Sequence, residues 1–228
     1  MILKDKKILI ISPHPDDEVI CCGGLIEKAK REEAEVFVFY ICFGKSRQLV
    51  TGSTDPETRL RETEQVAQAG NFKYKVLFKG DGNEWLRLDT IAQVDLINPI
   101  EDVIQEIKPD IICIPPGNSY DQDHRAVHTA CITALRPIPQ NIRHFVSIVL
   151  MYEEPYTWTL GKLEKKNFYI DTSGFEEKKA ELMKLHASQN REDPFPRSGD
   201  NLIRYMKIRG AEIGASSAEA YTLLRGFF

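Results

Sequence analysis

Two short stretches of this chain concentrate groups that can hold a cation and move a proton. The first is Ser12-Pro13-His14-Pro15-Asp16-Asp17-Glu18, which places one imidazole and three carboxylates within five residues. Its prolines fix φ near about −65° and remove backbone donors, which stiffens the turn and makes side-chain directions reproducible, as a metal site requires. The adjacent carboxylates of Asp16 and Asp17 cannot easily aim at one atom, so one binds a cation while the other faces substrate. His14 and Asp17, three residues apart, form the first ligand pair, with Asp17 also favoured at a helix N-terminus by the free N–H groups and the dipole. An acidic helix start that only caps amides is the plainer alternative. It is disfavoured because uncompensated carboxylates this close repel one another unless a cation or protons intervene.

The second stretch is Asp121-Gln122-Asp123-His124-Arg125-Ala126-Val127-His128. A histidine here completes a set of two imidazoles and one carboxylate, which suits zinc and leaves room for water and substrate. His124 is preferred as the third ligand. His128 lies four residues on, but Arg125, Ala126 and Val127 stand where an H-E-x-x-H motif needs its glutamate, so His128 is read as a supporting or core histidine. Asp16 is then the candidate general base, Asp123 and Asp121 are further candidate catalytic carboxylates, and Zn2+ is the expected cofactor, lowering the pKa of a water it holds towards ~7. His144 and His186 are isolated in sequence, although His186, in Leu185-His186-Ala187-Ser188-Gln189, could reach a cleft from a C-terminal helix.

Both stretches must be carried by something rigid. Lys7 to Ser12 and Glu35 to Cys42 are apolar, β-branched runs that suit central strands buried on both faces, and Asp17 to Arg31 between them has apolar residues at helical spacing. The alternation continues with a helix from Pro56 to Ala69, a strand at Tyr74 to Phe78, a helix from Ile91 to Ile107 and a strand at Asp110 to Ile114. A helix beginning near Asp123, a strand around Val146 to Met151, a helix-rich remainder from Asn167 and a last strand near Ala220 to Leu224 complete the series. This pattern predicts an α/β, Rossmann-like fold with a mostly parallel sheet, helices on both faces and a helix-rich C-terminal part. Ligands in such sheets bind outside the carboxyl ends of the strands, where the loops Pro13 to Asp16, Gly44 to Asp55, Lys79 to Asp89 and Pro115 to Gln122 fall.

Length and composition bound the function. At 228 residues, 42% apolar and 28% charged, the chain reads as one domain over residues 1–228. A net charge of −4, with basic and acidic residues interspersed, offers no face for nucleic acid. No apolar run approaches the ~20 residues of a membrane span, so a cytoplasmic location is expected. The five cysteines include an adjacent pair and no C-x-x-C, which fits small buried hydrophobes better than disulfides or a thiolate zinc site. Trp85 offers a flat surface of the kind sugars stack on, Trp158 fits a core equally well, and no pattern declares an oligomer.

The chain resembles the PIG-L/LmbE-like family of zinc-dependent N-deacetylases. The similarity is carried by SPHPDDE with Cys22-Gly23-Gly24, Arg59-x-x-Glu62, Asp81-Gly82 and the Asp-His-Arg-Ala-Val run at 123–127, and more weakly by His186 to Gln189 and Arg209 to Ala220. It implies a Rossmann-like fold, removal of an acetyl group from an N-acetylglucosamine-type sugar or sugar conjugate, His14, Asp17 and His124 as zinc ligands, Asp16 as base and Arg59 as a cleft arginine that binds substrate. Members commonly carry a histidine three residues before the last ligand. Asp121 stands there in this chain, and a carboxylate cannot act as a cationic electrophile; protonated Asp121, or His186 in its place, would fill the role.

Three other readings stay open at this level. The same site could cleave a different amide or an O-acyl ester, could hold iron or another divalent ion, or could have lost activity with the change at Asp121. A nucleotide-binding module without catalysis would need a G-x-G-x-x-G after the first strand, where His14 and two aspartates stand instead.

Overall fold

The computed structural model describes the chain except for residues 1–2, 45, 49–51, 81–86, 156–164 and 228. Asp81, Gly82, Trp85 and Trp158, which the sequence singles out, lie outside the described residues, as do parts of the loops at 44–55 and 79–89.

The chain opens with the unit the apolar runs demand: β1 (Lys7–Ser12), α1 (Asp17–Arg31) and β2 (Glu35–Cys42). A small antiparallel hairpin, β3 (Ser46–Gln48) and β4 (Gly52–Thr54), follows, then α2 (Pro56–Gly70), β5 (Lys73–Phe78), a 3-10 turn at Leu88–Thr90, α3 (Gln93–Ile107), β6 (Ile111–Ile114) and α4 (Gln122–Ala134). The C-terminal part holds β7 (Ile148–Tyr152), β8 (Phe168–Asp171), α5 (Glu176–Leu185), α6 (Gly199–Ala211) and β9 (Ala218–Gly226).

Among the described residues the main sheet has seven strands in the order β5-β2-β1-β6-β7-β9-β8. The five strands from β5 to β7 are parallel, whereas β9 runs antiparallel to both β7 and β8. The chain winds outward from β1 through β2 to β5, then returns to β6 on the other side of β1. The reversal opens a crevice above the carboxyl ends of β1 and β6, where doubly wound sheets bind their ligands.

Alternation along β1 divides the core into two layers. Ile8 and Ile10 face one layer with Leu25, Ile26, Val66 and Met183 from α1, α2 and α5; Leu9 and Ile11 face the other with Ile100, Ile104, Val127 and Cys131 from α3 and α4. All five cysteines are free and buried, as their apolar surroundings suggest. None of the described helices is long and apolar enough to cross a membrane.

The expected elements recur with ends shifted by a few residues. The third helix starts at Gln93 rather than Ile91 because Leu88–Thr90 turns as a 3-10 helix first. The last strand is longer than its apolar run because β7 and β8 flank it on both sides, and β8 itself, four residues at the sheet edge, has too short a pattern to read.

Candidate metal centre and its surroundings

The turn after β1 and the start of α4 meet across the crevice, and they bring His14, Asp17 and His124 together. One ligand atom from each lies within 4.8 Å of the others, and all three side chains are buried. Each imidazole is oriented from behind. His14 Nε2 meets Asp123 Oδ2 at 3.0 Å, and an ionised carboxylate only accepts, so the hydrogen sits on Nε2 and the Nδ1 lone pair is left for an ion. His124 Nδ1 lies 2.5 Å from Glu154 Oε1, which leaves Nε2 on the inner side, 3.1 Å from Asp17 Oδ2. Carboxylates behind ligating histidines fix the tautomer and raise the basicity of the ring, and this arrangement fits a divalent ion better than a purely structural cluster.

The electrostatics favour a positive charge at the centre of the cluster. Burial would push the Asp17 carboxyl up, but the imidazoles of His124 and His14 and the His14 N–H hold it at about 2. Burial would likewise depress His124, yet the carboxylates of Asp17 and Glu154 on its two nitrogens drive its pKa well above the ordinary 6.5. The carboxylates and imidazoles thus stabilise positive charge between them, which a proton or a cation can supply.

Asp16 stands beside this group without belonging to it. Its backbone has φ 116°, which an aspartate adopts only under constraint. The constraint is visible: the Asp16 N–H donates to Glu18 Oε2 at 3.0 Å, Glu18 Oε1 lies 2.6 Å from His186 Nε2, and Arg59 Nη2 donates to the Pro15 carbonyl. The Asp16 carboxylate lies 3.6 Å from Arg59 Nη2 and accepts from Arg197 Nη1 at 3.2 Å. Burial and the charge of Asp17 raise its pKa, against the opposing guanidinium groups of Arg59 and Arg197.

Three residues nominated from sequence occupy different positions from those expected. His186 does not reach the cleft: it is fully buried, and its contact is with Glu18 rather than with any surface a substrate could touch. Asp123, also fully buried, has Oδ2 against His14 and Oδ1 accepting the Leu88 N–H at 2.8 Å, so both oxygens are engaged behind the imidazole. Asp121 caps α4, accepting the Asp123 N–H at 2.8 Å, which gives a structural reason for a carboxylate at this position. Arg59 is buried against Pro15 and Asp16, whereas Arg61 is exposed and donates to the Thr58 hydroxyl at 2.9 Å. His128 bonds the Pro115 carbonyl and His144 the Pro109 carbonyl, so both brace loops.

Two participants escaped the sequence reading. Glu154 follows β7 in a Glu-Glu-Pro segment at the carboxyl end of a buried strand, a position that could have marked it. Arg197 sits in the irregular segment between α5 and α6, and no local pattern connects it with Asp16.

The PIG-L family, described as GlcNAc-PI de-N-acetylase, matches residues 9–135, more than half of the chain. Over 192 residues the chain is 26% identical to a probable N-acetyl-alpha-D-glucosaminyl L-malate deacetylase 2 of Bacillus anthracis, covering 81% of this chain and 82% of the relative. Among solved structures, the N,N'-diacetylchitobiose deacetylase of Pyrococcus horikoshii superposes with a TM-score of 0.73 at 22% identity, covering 97% of this chain and 84% of that one. The 4-carboxy-2-hydroxymuconate hydratase GalB of Pseudomonas putida superposes with a TM-score of 0.72 at 17% identity, covering 98% of both chains. Those two structures share the fold and differ in reaction, so the fold alone chooses no chemistry.

Proposed function

The chain belongs to the PIG-L family of metal-dependent, hydrolytic N-deacetylases, and from that premise we propose that it removes the acetyl group from an N-acetylglucosamine-type sugar or sugar conjugate with zinc as its metal. One observation carries the reading: three ligand atoms of His14, Asp17 and His124 converge within 4.8 Å while a fourth group, the Asp16 carboxylate, is held beside them by other partners. Two imidazoles and one carboxylate suit zinc and leave coordination positions open. The Bacillus anthracis relative is named for an N-acetylglucosaminyl substrate, which supports that substrate class.

A zinc ion held by His14, Asp17 and His124 would supply an acidic water and an electrophile for the amide carbonyl. Asp16 takes the proton from the attacking water and returns it to the departing nitrogen, which must leave as an amine. Glu18 and His186 are positioning residues: they hold the Asp16 backbone in the geometry that aims its carboxylate away from the ligand Asp17. Asp123 and Glu154 orient the ligating imidazoles, so Asp123 acts through His14 rather than on substrate. Arg59 pins the Pro15 carbonyl and stands by Asp16, where its charge can also meet the substrate oxygen. Asp121 caps α4 and in this reading does not take the role that the family resemblance gives to a histidine at its position.

Metal analysis of protein purified without chelator, together with acetate release from the methyl glycoside of N-acetylglucosamine, tests the proposal. About one zinc per chain and chelator-sensitive acetate release are expected. Metal-free protein that still hydrolyses the sugar, or loaded protein inert on every N-acetylated sugar, would overturn it.

A further inference from the structure

Amide hydrolysis relocates a negative charge. When a carboxylate base takes the proton of the attacking water and the new C–O bond forms, the carbonyl electron pair moves onto oxygen. The charge thereby leaves the base and appears on an oxyanion next to it. A donor set in place for that oxygen is worth about 10²- to 10³-fold in turnover. Each of the chain's five histidines already has another task. His14 and His124 converge with Asp17, His186 is buried on Glu18, and His128 and His144 bond the Pro115 and Pro109 carbonyls. Arg125, beside His124, donates to the Ser119 and Tyr120 carbonyls.

Two arginines lie against Asp16, and they differ in access. The Arg59 side chain is 4% exposed and its Nη2 donates to the Pro15 carbonyl, so it reinforces the local field from behind the turn. The Arg197 side chain is 25% exposed, and among the described residues its hydrogen bond is the one from Nη1 to Asp16 Oδ2 at 3.2 Å. A guanidinium carries five N–H donors, so this bond leaves others for a substrate oxygen. The segment that delivers Arg197 is braced on both sides. The Ser188 N–H and hydroxyl each donate to Glu62 at 2.7 Å, and buried Ser198 donates its N–H to the Phe195 carbonyl while its hydroxyl caps α6 by accepting the Asn201 N–H. A cation held this way needs little reorganisation when charge develops beside it.

We propose that Arg197 is a catalytic residue whose guanidinium binds the amide oxygen of the substrate as it becomes an oxyanion. In the resting enzyme the ion pair with Asp16 keeps the guanidinium in place, and during the reaction it follows the charge from Asp16 to the oxygen. On collapse the electron pair re-forms the C=O bond, the C–N bond breaks, the nitrogen takes the proton from Asp16, and Arg197 pairs with the ionised carboxylate again. The inference rests on the deacetylase reading for the reaction and adds an electrophile from the segment between α5 and α6, away from the metal ligands.

In the zinc-loaded enzyme, Arg197→Ala should lower kcat on the methyl glycoside of N-acetylglucosamine by about 10²-fold while KM changes less than about 3-fold. Arg197→Gln, closer in shape, should show the same loss, and methylguanidine added to Arg197→Ala should restore part of the rate. Binding separates contact with the reacting oxygen from action through Asp16. The N-methylphosphonyl analogue of the same sugar carries a tetrahedral anion where the acyl group would react. Its calorimetric affinity should fall at least about 10-fold in Arg197→Ala, and by the same factor when Arg197→Ala is added to Asp16→Asn. The methyl glycoside of glucosamine, which lacks the acyl group, should bind all variants equally. A kcat loss below about 3-fold, a loss confined to KM, or an analogue affinity indifferent to Arg197 once Asp16 is replaced overturns the role. If the wild-type enzyme hydrolyses no N-acetylated sugar, the deacetylase reading fails by itself. Calorimetry then judges Arg197 separately: analogue binding weakened by Arg197→Ala sustains its contact with the tetrahedral anion, and binding absent or unchanged refutes it.

Discussion

Two buried charged clusters lie along α1, and they differ in one respect. Halfway along the helix, Glu219 accepts from Lys179 Nζ and Gly24 N–H, both at 2.7 Å, from Leu25 N–H at 2.8 Å and from the Tyr221 hydroxyl at 2.9 Å. Four donors meet the roughly four acceptor positions of one carboxylate, and a single ammonium cancels its charge. This cluster is closed. At the N-terminus of the same helix, Asp17, Asp123 and Glu154 crowd two imidazoles whose inner nitrogens face each other and a carboxylate. There three carboxylates face two imidazoles, an excess of acid that a bound cation would balance. A closed buried cluster is a device of packing, and an open one is a binding site.

Gly24 shows how tightly the closed cluster is built. A Cβ there would come within 2.7 Å of Thr172 Cγ2 and 3.0 Å of Glu219 Cδ, so the glycine admits β9 against the helix backbone. The cluster at the N-terminus is bordered by Asp16 and the guanidinium groups of Arg59 and Arg197.

The largest effect should come from breaking the closed cluster. Glu219→Ala leaves the Lys179 ammonium buried without its partner, and denaturant unfolding should register a loss of about 3–5 kcal/mol, most of it recovered in Lys179→Met/Glu219→Leu. A change below about 1 kcal/mol in the single variant would erase the distinction drawn between the clusters.

Asp16→Asn should act in the opposite sense, lowering turnover by about 10²-fold, or about 2.7 kcal/mol, while metal content and stability stay close to wild type. Loss of zinc in this variant would move Asp16 into the ligand set. Asp123→Asn and Glu154→Gln should each weaken metal affinity by about 10- to 100-fold, measured by competition with a chelator, since each frees an imbalance behind a ligating ring.

The smallest effect concerns pH. In chelator-treated protein the raised pKa of His124 contributes stability that is fully present below its unfolded value of about 6.5 and is lost as pH rises through the folded value. The melting temperature of metal-free protein should therefore fall in alkaline solution, whereas zinc, which binds neutral imidazole, should abolish the fall. Parallel curves for the two forms would indicate that the open cluster needs no cation.

Much of this architecture could be read from the chain because its signals are local. The apolar runs of β1 and β2 and the spacing of α1 are intrinsic to their segments, and the bounds of those elements agree with the sequence reading residue for residue. Likewise, a histidine and three carboxylates within five residues advertise a cation without any partner in view. The roles around them were less legible. His186 looks like a cleft residue in sequence, yet α5 buries it 168 positions away against Glu18; Asp123 looks like a second acid until its two oxygens are seen behind His14 and on Leu88 N–H.

The residue pattern by itself therefore determined the class of fold, the elements that begin it and the two turns rich in metal-binding groups, because hydrophobic period and close spacing are properties of short segments. Tertiary structure alone decided which carboxylate backs which imidazole, which arginine meets Asp16 and which buried charges are already neutralised. The longest of those relations, His14 with Asp123 and Asp16 with Arg197, join residues more than 100 positions apart, and the winding of the sheet, with its reversal between β1 and β6, sets their distances.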